Sequence, residues 1–567
     1  MEIHAPRRLA GNLFSSAGTL IGKIFLVCFI VCSSFAQPSP AGLRLTVSND
    51  TTTVFWPLRD YYSLLQSAPD FMYPNGWTNV AGAAAPTTTL SFFGPGLYGS
   101  AALATNVVGN EFSYTLPRSG NQKYFRLHSP HYFFPTSFAV FYDGTLEFSQ
   151  AATMIVNGLV YARGPIDVGT SASLTFNQPV TTTSTVSGAA NDGLGPWTPD
   201  GTTNNWNTVF NGSPTLITNA PDLLSAIGTN KLHTMIEVPS PQNTNGLIKF
   251  YDLAYMVLLV TNIPGTITNF NVQLKILASV NNQLPGNDPA PVVLVYTNSN
   301  PPDLPFLSLT NLTYDQRERK TNLITQIDIG IFARWIATNT TVQAKLPSIL
   351  GQFPSLLYVA DQRQVTPTQL ASVRLMNAAQ LPENNGLGFS VATMNPLYVW
   401  GNYNVQTANS VANASAGTTN VAFSVPAALI SDSLTILSAA WTDDQGFSTY
   451  NSFTTAFDAT TTTINAAILT GTVPSTGNDA ASFSGGIHNL PRLLEDWSGQ
   501  SLWLNTSLVR LWDSQMATNQ FRNPPAFSPA PVNPYYNPPT RHFSFDARYQ
   551  GPAFTPPGIP VFIIDWK

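Results

Sequence analysis

The stretch MNPLYVWGNYN, Met394–Asn404, carries three aromatic side chains whose spacing could form a binding surface. These candidate ligand-binding residues are Tyr398, Trp400 and Tyr403. In a strand, Tyr398 and Trp400 point to the same side. Rings on an outer face can stack on sugars, whereas rings that face a neighbouring strand fill a core. Packing is the commoner use of large rings in β proteins, so we favour it over a glycan-binding platform.

Two pairs of neighbouring carboxylates are candidates for acid–base chemistry. Glycoside hydrolysis needs one carboxyl group as the acid and another as the base or nucleophile, at a set separation. Asp443–Asp444 and Glu495–Asp496 supply such pairs. Neighbours in a strand, however, point to opposite faces. Neither pair is therefore a ready-made catalytic couple, and Glu495 is expected on the surface of a helix.

The densest charge in the chain is the sequence YDQRERK, Tyr314–Lys320. Such a segment forms either a binding patch or a solvated, self-paired surface loop, and the loop is the commoner arrangement. The histidines belong to no zinc-protease or catalytic-triad pattern. The sequence also has no hydrolase nucleophile elbow, phosphate loop, dinucleotide fingerprint or calcium loop. The sequence therefore assigns no catalytic residue, no cofactor and no metal ligand. Calcium binding stays open, because oxygen-ligated sites need no compact motif.

The composition restricts the class of protein. A chain of 567 residues predicts two to four domains. Charged residues make up only 10%, against about 25% in typical soluble domains, while 43% are hydrophobic. The polar surface must then consist of Ser, Thr, Asn and Gln, as is common in secreted β proteins. A net charge of −5 without any basic run excludes a nucleic-acid-binding footprint.

Residues 1–36 have the organisation of a secretory signal peptide. Arg7, Arg8 and Lys23 precede the apolar segment IFLVCFIVCSSFA, which ends at Ala36. This segment is shorter than the ~20 residues that span a bilayer, so no transmembrane anchor is expected after cleavage. Both cysteines of the chain lie within it, and a mature chain without them cannot form disulfides. We therefore predict a bacterial protein that is secreted or lies on the outer cell surface.

Residues 41–130 predict a β-sandwich of about seven strands. Short alternating runs such as LRLTVSND and FSYTLP are separated by turn residues. The sequences LRLTVSNDTTTVFWP, YYSLLQSA, GWTNVAG and YTLPRSGNQKYFRL resemble the fibronectin type III or immunoglobulin-like modules of many secreted bacterial proteins. The resemblance implies a spacer or attachment domain rather than a catalyst.

Residues 140–522 predict a large β-helix-like body with few helices, so the whole chain is expected to be mainly β. In MIVNGLVYARGPIDVGTSASLTF, glycine breaks separate very short apolar runs. Strands this short suit stacked rungs that bury side chains against the next coil, although no fixed repeat length is evident. We expect an irregular insertion near residues 177–230 and a helix in Ile324–Asn339. A proline-rich, extended tail outside the sheets is expected at residues 523–567.

The body also resembles a known group of proteins. ARGPIDVG, YDLAYMVLLVTN, LLYVADQR, NPLYVWGNYN and GGIHNLPRLLEDW occur in this order between about Gly144 and the C terminus. They are similar to large, mostly uncharacterised exported bacterial proteins, and through these to the non-pilin bodies of PilX-type type IV pilus-assembly proteins. The resemblance implies a partly β-helical passenger at the cell envelope, without established catalytic residues. A prepilin has a long apolar helix with a Glu, whereas the apolar run after Gly22 is short and has none.

Two functions follow as expectations. The first is a secreted or cell-surface structural or adhesion-type protein, a rigid β scaffold whose partners are further copies, envelope components or pilus components. Unpaired terminal rungs would template such association. The alternative is a carbohydrate-binding or polysaccharide-degrading protein on a β-helix, with glycans as ligands. An enzyme needs carboxylates, or a carboxylate with Arg or Lys, converging in one groove, whereas a scaffold needs only a continuous apolar core.

Overall fold

The fold is mainly β, with 35 strands and four α-helices in the described part of the chain. The predicted signal peptide, residues 1–36, lies outside that part. Contacts divide the chain into one unit of residues 1–85 and 103–129 and a second unit of residues 86–102 and 130–567. The computed structural model describes residues 44–47, 51–57, 64–68, 78–79, 106–108, 111–117, 124–128, 131–149, 153–169, 173–188, 208–211, 214–216, 232–240, 249–263, 270–276, 303–346, 353–382, 386–407, 410, 413–450, 454–475, 486–519, 521, 535–551, 554–559 and 562–564.

The first unit contains seven strands in two antiparallel sheets. One sheet has the order β1-β2-β6-β5 and the other the order β4-β3-β7. β-Branched and aromatic residues, as in TTTVFWP, favour these strands. Face-to-face packing of the two sheets falls outside the described side chains, so the sandwich stays a prediction. The strands are β1 (Arg44–Val47), β2 (Thr51–Pro57), β3 (Leu64–Ala68), β4 (Thr78–Asn79), β5 (Asn106–Val108), β6 (Glu111–Pro117) and β7 (Tyr124–His128).

The second unit begins with three-sided coils of a parallel β-helix, here called the N-terminal stack. After β8, every third strand lies in the same face: β9, β12, β15 and β18 in face A, β10, β13 and β16 in face B, and β11, β14 and β17 in face C. Val140, Val160 and Val180 are register partners in face A. The strands are β8 (His131–Phe133), β9 (Val140–Tyr142), β10 (Leu146–Ser149), β11 (Met154–Val156), β12 (Val160–Ala162), β13 (Ile166–Gly169), β14 (Leu174–Phe176), β15 (Val180–Thr182), β16 (Val186–Gly188), β17 (Thr208–Phe210) and β18 (Thr215–Leu216).

The rest of this unit forms a second set of coils, the C-terminal stack. Face A continues through β19, β23, β25, β27, β30 and β33, face B through β22, β24, β26, β28 and β31, and face C through β29, β32 and β34. Its strands are β19 (Met256–Asn262), β20 (Phe270–Ile276), β21 (Leu307–Asp315), β22 (Lys320–Asp328), β23 (Leu356–Asp361), β24 (Gln369–Met376), β25 (Ser390–Thr393), β26 (Leu397–Trp400), β27 (Ala428–Ser431), β28 (Leu434–Leu437), β29 (Thr462–Asn465), β30 (Ala467–Thr470), β31 (Pro491–Arg492), β32 (Ser501–Asn505), β33 (Leu508–Arg510) and β34 (Thr540–Ser544). The last strand, β35 (Phe562–Ile564), pairs with β8 in a sheet of two strands. The predicted body of stacked short strands is confirmed.

The two stacks meet where β33 pairs in parallel with β9, a junction here called the seam. Leu508 is the register partner of Val140, and Arg510 of Tyr142. Face A therefore runs across the seam as one sheet of eleven strands, in which only β20 is antiparallel. The chain enters the β-helix in the middle, winds outward to β18, returns to the far end at β19 and winds back to the middle.

The helices are few and short. β22 continues to Asp328, whose carboxylate accepts a hydrogen bond from the backbone N–H of Ile331 and so caps a helix that begins at Ile329. The predicted helical segment therefore begins as a strand. No helix among the described residues is long and apolar enough to cross a membrane. The helices are α1 (Phe250–Leu253), α2 (Ile329–Thr338), α3 (Thr340–Gln343) and α4 (Asp443–Phe447), with 3-10 turns at Pro135–Ser137, Leu232–Met235, Thr455–Phe457, Gly486–Asn489 and Ala547–Gln550.

Two predicted irregular segments contain regular strands. The region 177–230 includes β15 to β18, because its β-branched residues continue the coils of the N-terminal stack. The proline-rich tail supplies β34, which pairs in parallel with β32, and β35, which pairs with β8. Pro538 and Pro539 lie just before β34, where a missing backbone donor does not interrupt the ladder. The expectation that this tail lies outside the sheets is therefore wrong.

An asparagine lies at the same corner, between faces C and A, in successive coils of both stacks. In the N-terminal stack, Asn177 donates to the Oδ1 of Asn157 (2.7 Å) and Asn211 donates to that of Asn177 (2.6 Å). In the C-terminal stack, Asn505 donates to the Oδ1 of Asn465 (2.7 Å). These amide ladders join one coil to the next, as stacked asparagines do in other layered β structures.

Candidate functional site

Strand β26, which contains Tyr398 and Trp400, and the segment after it, which contains Tyr403, place the three predicted aromatic residues at different depths. Tyr398 is only 2% exposed and Tyr403 is fully buried, whereas Trp400 is partly exposed. The hydroxyl of Tyr398 donates to the Oδ2 of Asp315 (2.5 Å) and accepts from the amide of Asn322 (2.8 Å). Burial raises the pKa of Tyr398 well above its usual value, and the Asp315 charge adds to this. Two of the three rings are thus packed inside the protein, and they form no exposed platform with Trp400.

One face of the Trp400 ring is covered by an arginine side chain. The guanidinium of Arg374 lies over this ring, 4.8 Å from its centroid. Arg374 in turn forms two hydrogen bonds to the carboxylate of Asp443, at 2.5 and 2.9 Å, and one from its Nε to Gln326 (2.9 Å). The indole N–H of Trp441 also reaches this carboxylate (3.2 Å). The partly exposed indole is therefore fixed in a polar cluster, and its face towards Arg374 is not free to stack on a sugar.

Three charged residues of the segment Tyr314–Lys320 are buried, whereas Arg319 is exposed. Asp315, Arg317 and Glu318 are each at most 5% exposed. Glu318 accepts from the Nη1 of Arg492 (2.6 Å), and Asp315 accepts the backbone N–H groups of the residues that follow it. Burial raises the pKa of Glu318, against the opposing charge of Arg492. The short ion pair of Glu318 is with Arg492, outside the segment, so the segment joins the β21–β22 hairpin to β31 and is not the expected self-paired surface loop.

Two carboxylates from different coils converge on one corner of the C-terminal stack. Asp458 pairs in register with Asp496, and Asp496 with Asn537 on the next coil. Neighbouring parallel strands lie about 4.8 Å apart, so these side chains form a ladder. Asp496 is 5% exposed and accepts from the amide of Asn537 (3.1 Å), whereas Asp458 is exposed. Here they are called the acid ladder.

A tyrosine packs beside the acid ladder: the ring centroid of Tyr450 lies 5.2 Å from that of Phe457, which precedes Asp458. The Tyr450 hydroxyl is buried and has no hydrogen-bond partner among the described residues. Burial raises the pKa of Tyr450, and the charges of Asp496 and Asp458 raise it further. Two carboxylates with a phenol are a set that proton-transfer chemistry can use. The sequence did not indicate this set, because its members come together only when successive coils stack.

Glu495 lies in an extended segment and not on a helix surface. It is fully buried, and its two carboxylate oxygens accept from the backbone N–H and the hydroxyl of Ser438, both at 2.6 Å. Burial raises the pKa of Glu495 to about 7, although the bonds from Ser438 lower it. Its neighbour Asp496 accepts from Asn537 instead, so these adjacent carboxylates have different hydrogen-bond partners.

Comparison with known proteins identifies no family. No family model, characterised protein or solved structure matches the chain. The resemblances to fibronectin-type modules and to PilX-type bodies thus stay predictions. Within the part of the chain that the structure describes, no group of three or more His, Cys, Asp or Glu side chains could hold a metal ion. The function must therefore be argued from the geometry of the coils themselves.

Proposed function

We propose that the protein is a secreted or cell-surface structural protein that acts as a rigid β scaffold in a bacterial envelope. One observation carries the proposal: face A is a single sheet of eleven strands that runs through both stacks. Its inward residues, such as Val140, Val391 and Ile468, are fully buried. A β-helix of this kind keeps a fixed spacing along its length, which is what surface presentation requires.

The buried charges support the same proposal, because they are bonded to one another and join separate elements. The guanidinium of Arg363 forms three hydrogen bonds to Asp361, of 2.6–3.0 Å, and donates to the carbonyl of Leu309 in β21. Arg492 joins β31 to Glu318 in the β21–β22 hairpin. Charged groups used in this way stiffen a wall and are not available for a substrate.

Protease treatment of intact cells of the native host tests the proposal. If the protein lies on the outer surface, added protease removes it from intact cells, while a cytoplasmic marker protein survives. The mature protein should also form higher-order assemblies as its concentration rises in sedimentation velocity runs, in keeping with self-association. Protection from protease in intact cells, together with a monomer at every concentration, would contradict the proposal.

The acid ladder favours a second candidate function, a polysaccharide-processing or glycan-binding protein. Asp458 and Asp496 lie on adjacent coils next to a buried phenol, which is the kind of convergence that glycoside chemistry needs. Release of reducing ends from a panel of bacterial and plant polysaccharides tests this candidate. We expect Asp496→Asn to abolish any such release, and the exposed carboxylate variant Asp444→Asn to retain it. No release and no binding on a glycan array would reject this candidate.

A further inference from the structure

A small cavity lies inside the β-helix at the seam. Its wall is largely apolar and is formed by Met154 of β11 together with Leu502, Leu504 and Phe543 of the C-terminal stack. Its volume is about 20 Å³, enough for one or two water-sized occupants. Both stacks contribute to the cavity, so whatever occupies it touches the two parts that the seam joins.

The cavity wall contains an unsatisfied polar atom. The Nε2 atom of His488 is buried and has no hydrogen-bond partner among the described residues. Burial lowers the pKa of His488 to about 3, and the charge of Arg541 contributes to this shift. The ring is therefore neutral at physiological pH, and one of its nitrogens carries a proton that can be donated. A buried nitrogen of this kind normally has a partner, either protein or solvent.

The same wall contains a positive charge without a carboxylate beside it. Arg541 of β34 lines the cavity, and none of the described residues that line it is Asp or Glu. Arg541 is partly exposed, whereas the buried guanidinium groups of Arg363 and Arg492 each face a carboxylate. Solvent therefore reaches part of Arg541, and no carboxylate of the cavity wall opposes the approach of an anion.

We propose that the seam cavity binds one small monovalent anion of the size of chloride. Its ligands are the guanidinium of Arg541 and the Nε2–H of His488, and the apolar residues form the rest of the shell. A monatomic anion would fill this volume, and sulfate, phosphate and longer carboxylates are larger still. A neutral water would satisfy His488 but would not form an ion pair with Arg541.

The location gives this anion a structural role. His488 belongs to the 3-10 turn Gly486–Asn489, which packs against β10 of the N-terminal stack so closely that a Cβ on Gly486 would lie 2.5 Å from the carbonyl oxygen of Glu147. Arg541 belongs to β34 of the C-terminal stack. An anion between them joins two segments of the C-terminal stack beside Met154 of β11, on a side of the β-helix where β34 and β11 share no sheet.

Diffraction with bromide tests the site directly. Crystals of the full chain grown with bromide in place of chloride should show an anomalous peak between Arg541 and His488. The peak should be absent in Arg541→Gln and present in Arg334→Gln, which changes an exposed arginine on α2. Arg541→Lys keeps the charge and should retain the peak. A cavity that holds only water in the wild type, or a peak that persists in Arg541→Gln, would overturn the proposal.

Thermal unfolding provides a second measurement. At constant ionic strength, replacement of methanesulfonate by chloride should raise the Tm of the wild type and of Arg334→Gln, with a dependence that follows binding to one site. Arg541→Gln should show no such rise. If Arg541→Gln does not fold, Arg541→Lys and the wild type still decide the question, because both should respond to chloride and not to sulfate. Equal Tm values in all three salts would refute the anion site.

Discussion

The hydroxyl of Ser507 donates a 2.6 Å hydrogen bond to the backbone carbonyl of Phe138, which lies 369 positions earlier in the chain. This bond lies at the start of the seam, where β33 pairs with β9. The middle of the β-helix is thus closed by segments from opposite ends of the body. Contacts so distant in sequence form slowly, because a large loop entropy opposes them until they are made. We therefore expect the seam to form late in folding and to limit the stability of the body.

A disulfide across the seam should stabilise the protein strongly. We would combine Val140→Cys with Leu508→Cys, which are register partners, in a chain whose Cys28 and Cys32 are replaced by serine. In the chain-entropy model, closing a loop of this length contributes about 6 kcal/mol, while a loop of 20 residues contributes about 3 kcal/mol. Urea unfolding of the oxidised and reduced forms measures the gain.

The matched control for this disulfide is a second register pair, Val140→Cys with Val160→Cys, which closes a loop of about 20 residues in the N-terminal stack. Its gain on oxidation should be smaller than that of the seam pair. If oxidation of the seam pair gives no gain, or a gain no larger than that of the control pair, the seam does not limit stability.

The asparagine ladder should contribute more in the C-terminal stack than in the N-terminal stack. Asn465 is 2% exposed; its amide donates to the carbonyl of Asn404 (3.1 Å) and its Oδ1 accepts from Asn505. Asn465→Ala leaves the carbonyl of Asn404 buried without this donor, at about 1–3 kcal/mol, while the amide of Asn505 keeps its bond to the carbonyl of Thr418 (2.9 Å). Asn177→Ala removes the same kind of bond at an exposed corner and should cost less than about 1 kcal/mol. Equal shifts in the urea midpoint would show that burial of the ladder is not what matters.

The sequence predicted the kind of fold because strand length and glycine breaks are local signals. The breaks at Gly158 and Gly164 both lie between strands of adjacent faces in the N-terminal stack. A fixed repeat was not evident, although Val140, Val160 and Val180 are 20 positions apart. The reason lies in the C-terminal stack, where face-A register partners are spaced 38, 39 and 40 positions apart because insertions lengthen each coil.

The sites were less accessible to sequence reasoning, because their partners come from distant coils. The buried hydroxyl of Tyr398 bonds to Asp315, which lies 83 positions earlier in the chain. Asp458 and Asp496 are unremarkable in sequence and become neighbours only through the stacking of coils. The seam itself has no local signal, since a strand such as LVR carries no mark of which strand will pair with it.

The 3-10 turn Leu232–Met235, which precedes β19, should be held by a protonated histidine. The Nδ1 of His233 lies 2.9 Å from Glu237 Oε1, and its Nε2 lies 3.1 Å from Asp432 Oδ1. Burial is the largest influence on the pKa of His233 and lowers it, but the two carboxylates outweigh burial and raise the pKa above 6.5. The stabilisation is thus fully present below the unfolded value of about 6.5 and is lost as the pH rises through the raised pKa.

We expect His233→Gln to cost about 1–3 kcal/mol at pH 6 and less at pH 9, measured by urea unfolding at a series of pH values. Glu237→Gln removes one of the two carboxylates and should reduce the pH dependence without abolishing it. A cost of His233→Gln that is the same at every pH would show that the charge on the ring does not hold this turn.

Glu495 should make the protein less stable as the pH rises towards 8. Its carboxylate is fully buried, and burial raises its pKa from 4.5 to about 7, although the bonds from Ser438 lower it. Between these two values the folded protein binds a proton that the unfolded chain has released, so stability falls with rising pH. The whole shift corresponds to about 3 kcal/mol.

Glu495→Gln has no charge to bury, and it should match the wild type near pH 5 but exceed its urea midpoint at pH 8. Asp444→Asn, at an exposed position, should change stability by less than about 0.5 kcal/mol at both pH values. A loss of stability in Glu495→Gln that is equal at pH 5 and pH 8 would mean that Ser438 needs the ionised carboxylate, which is the opposite of the burial argument.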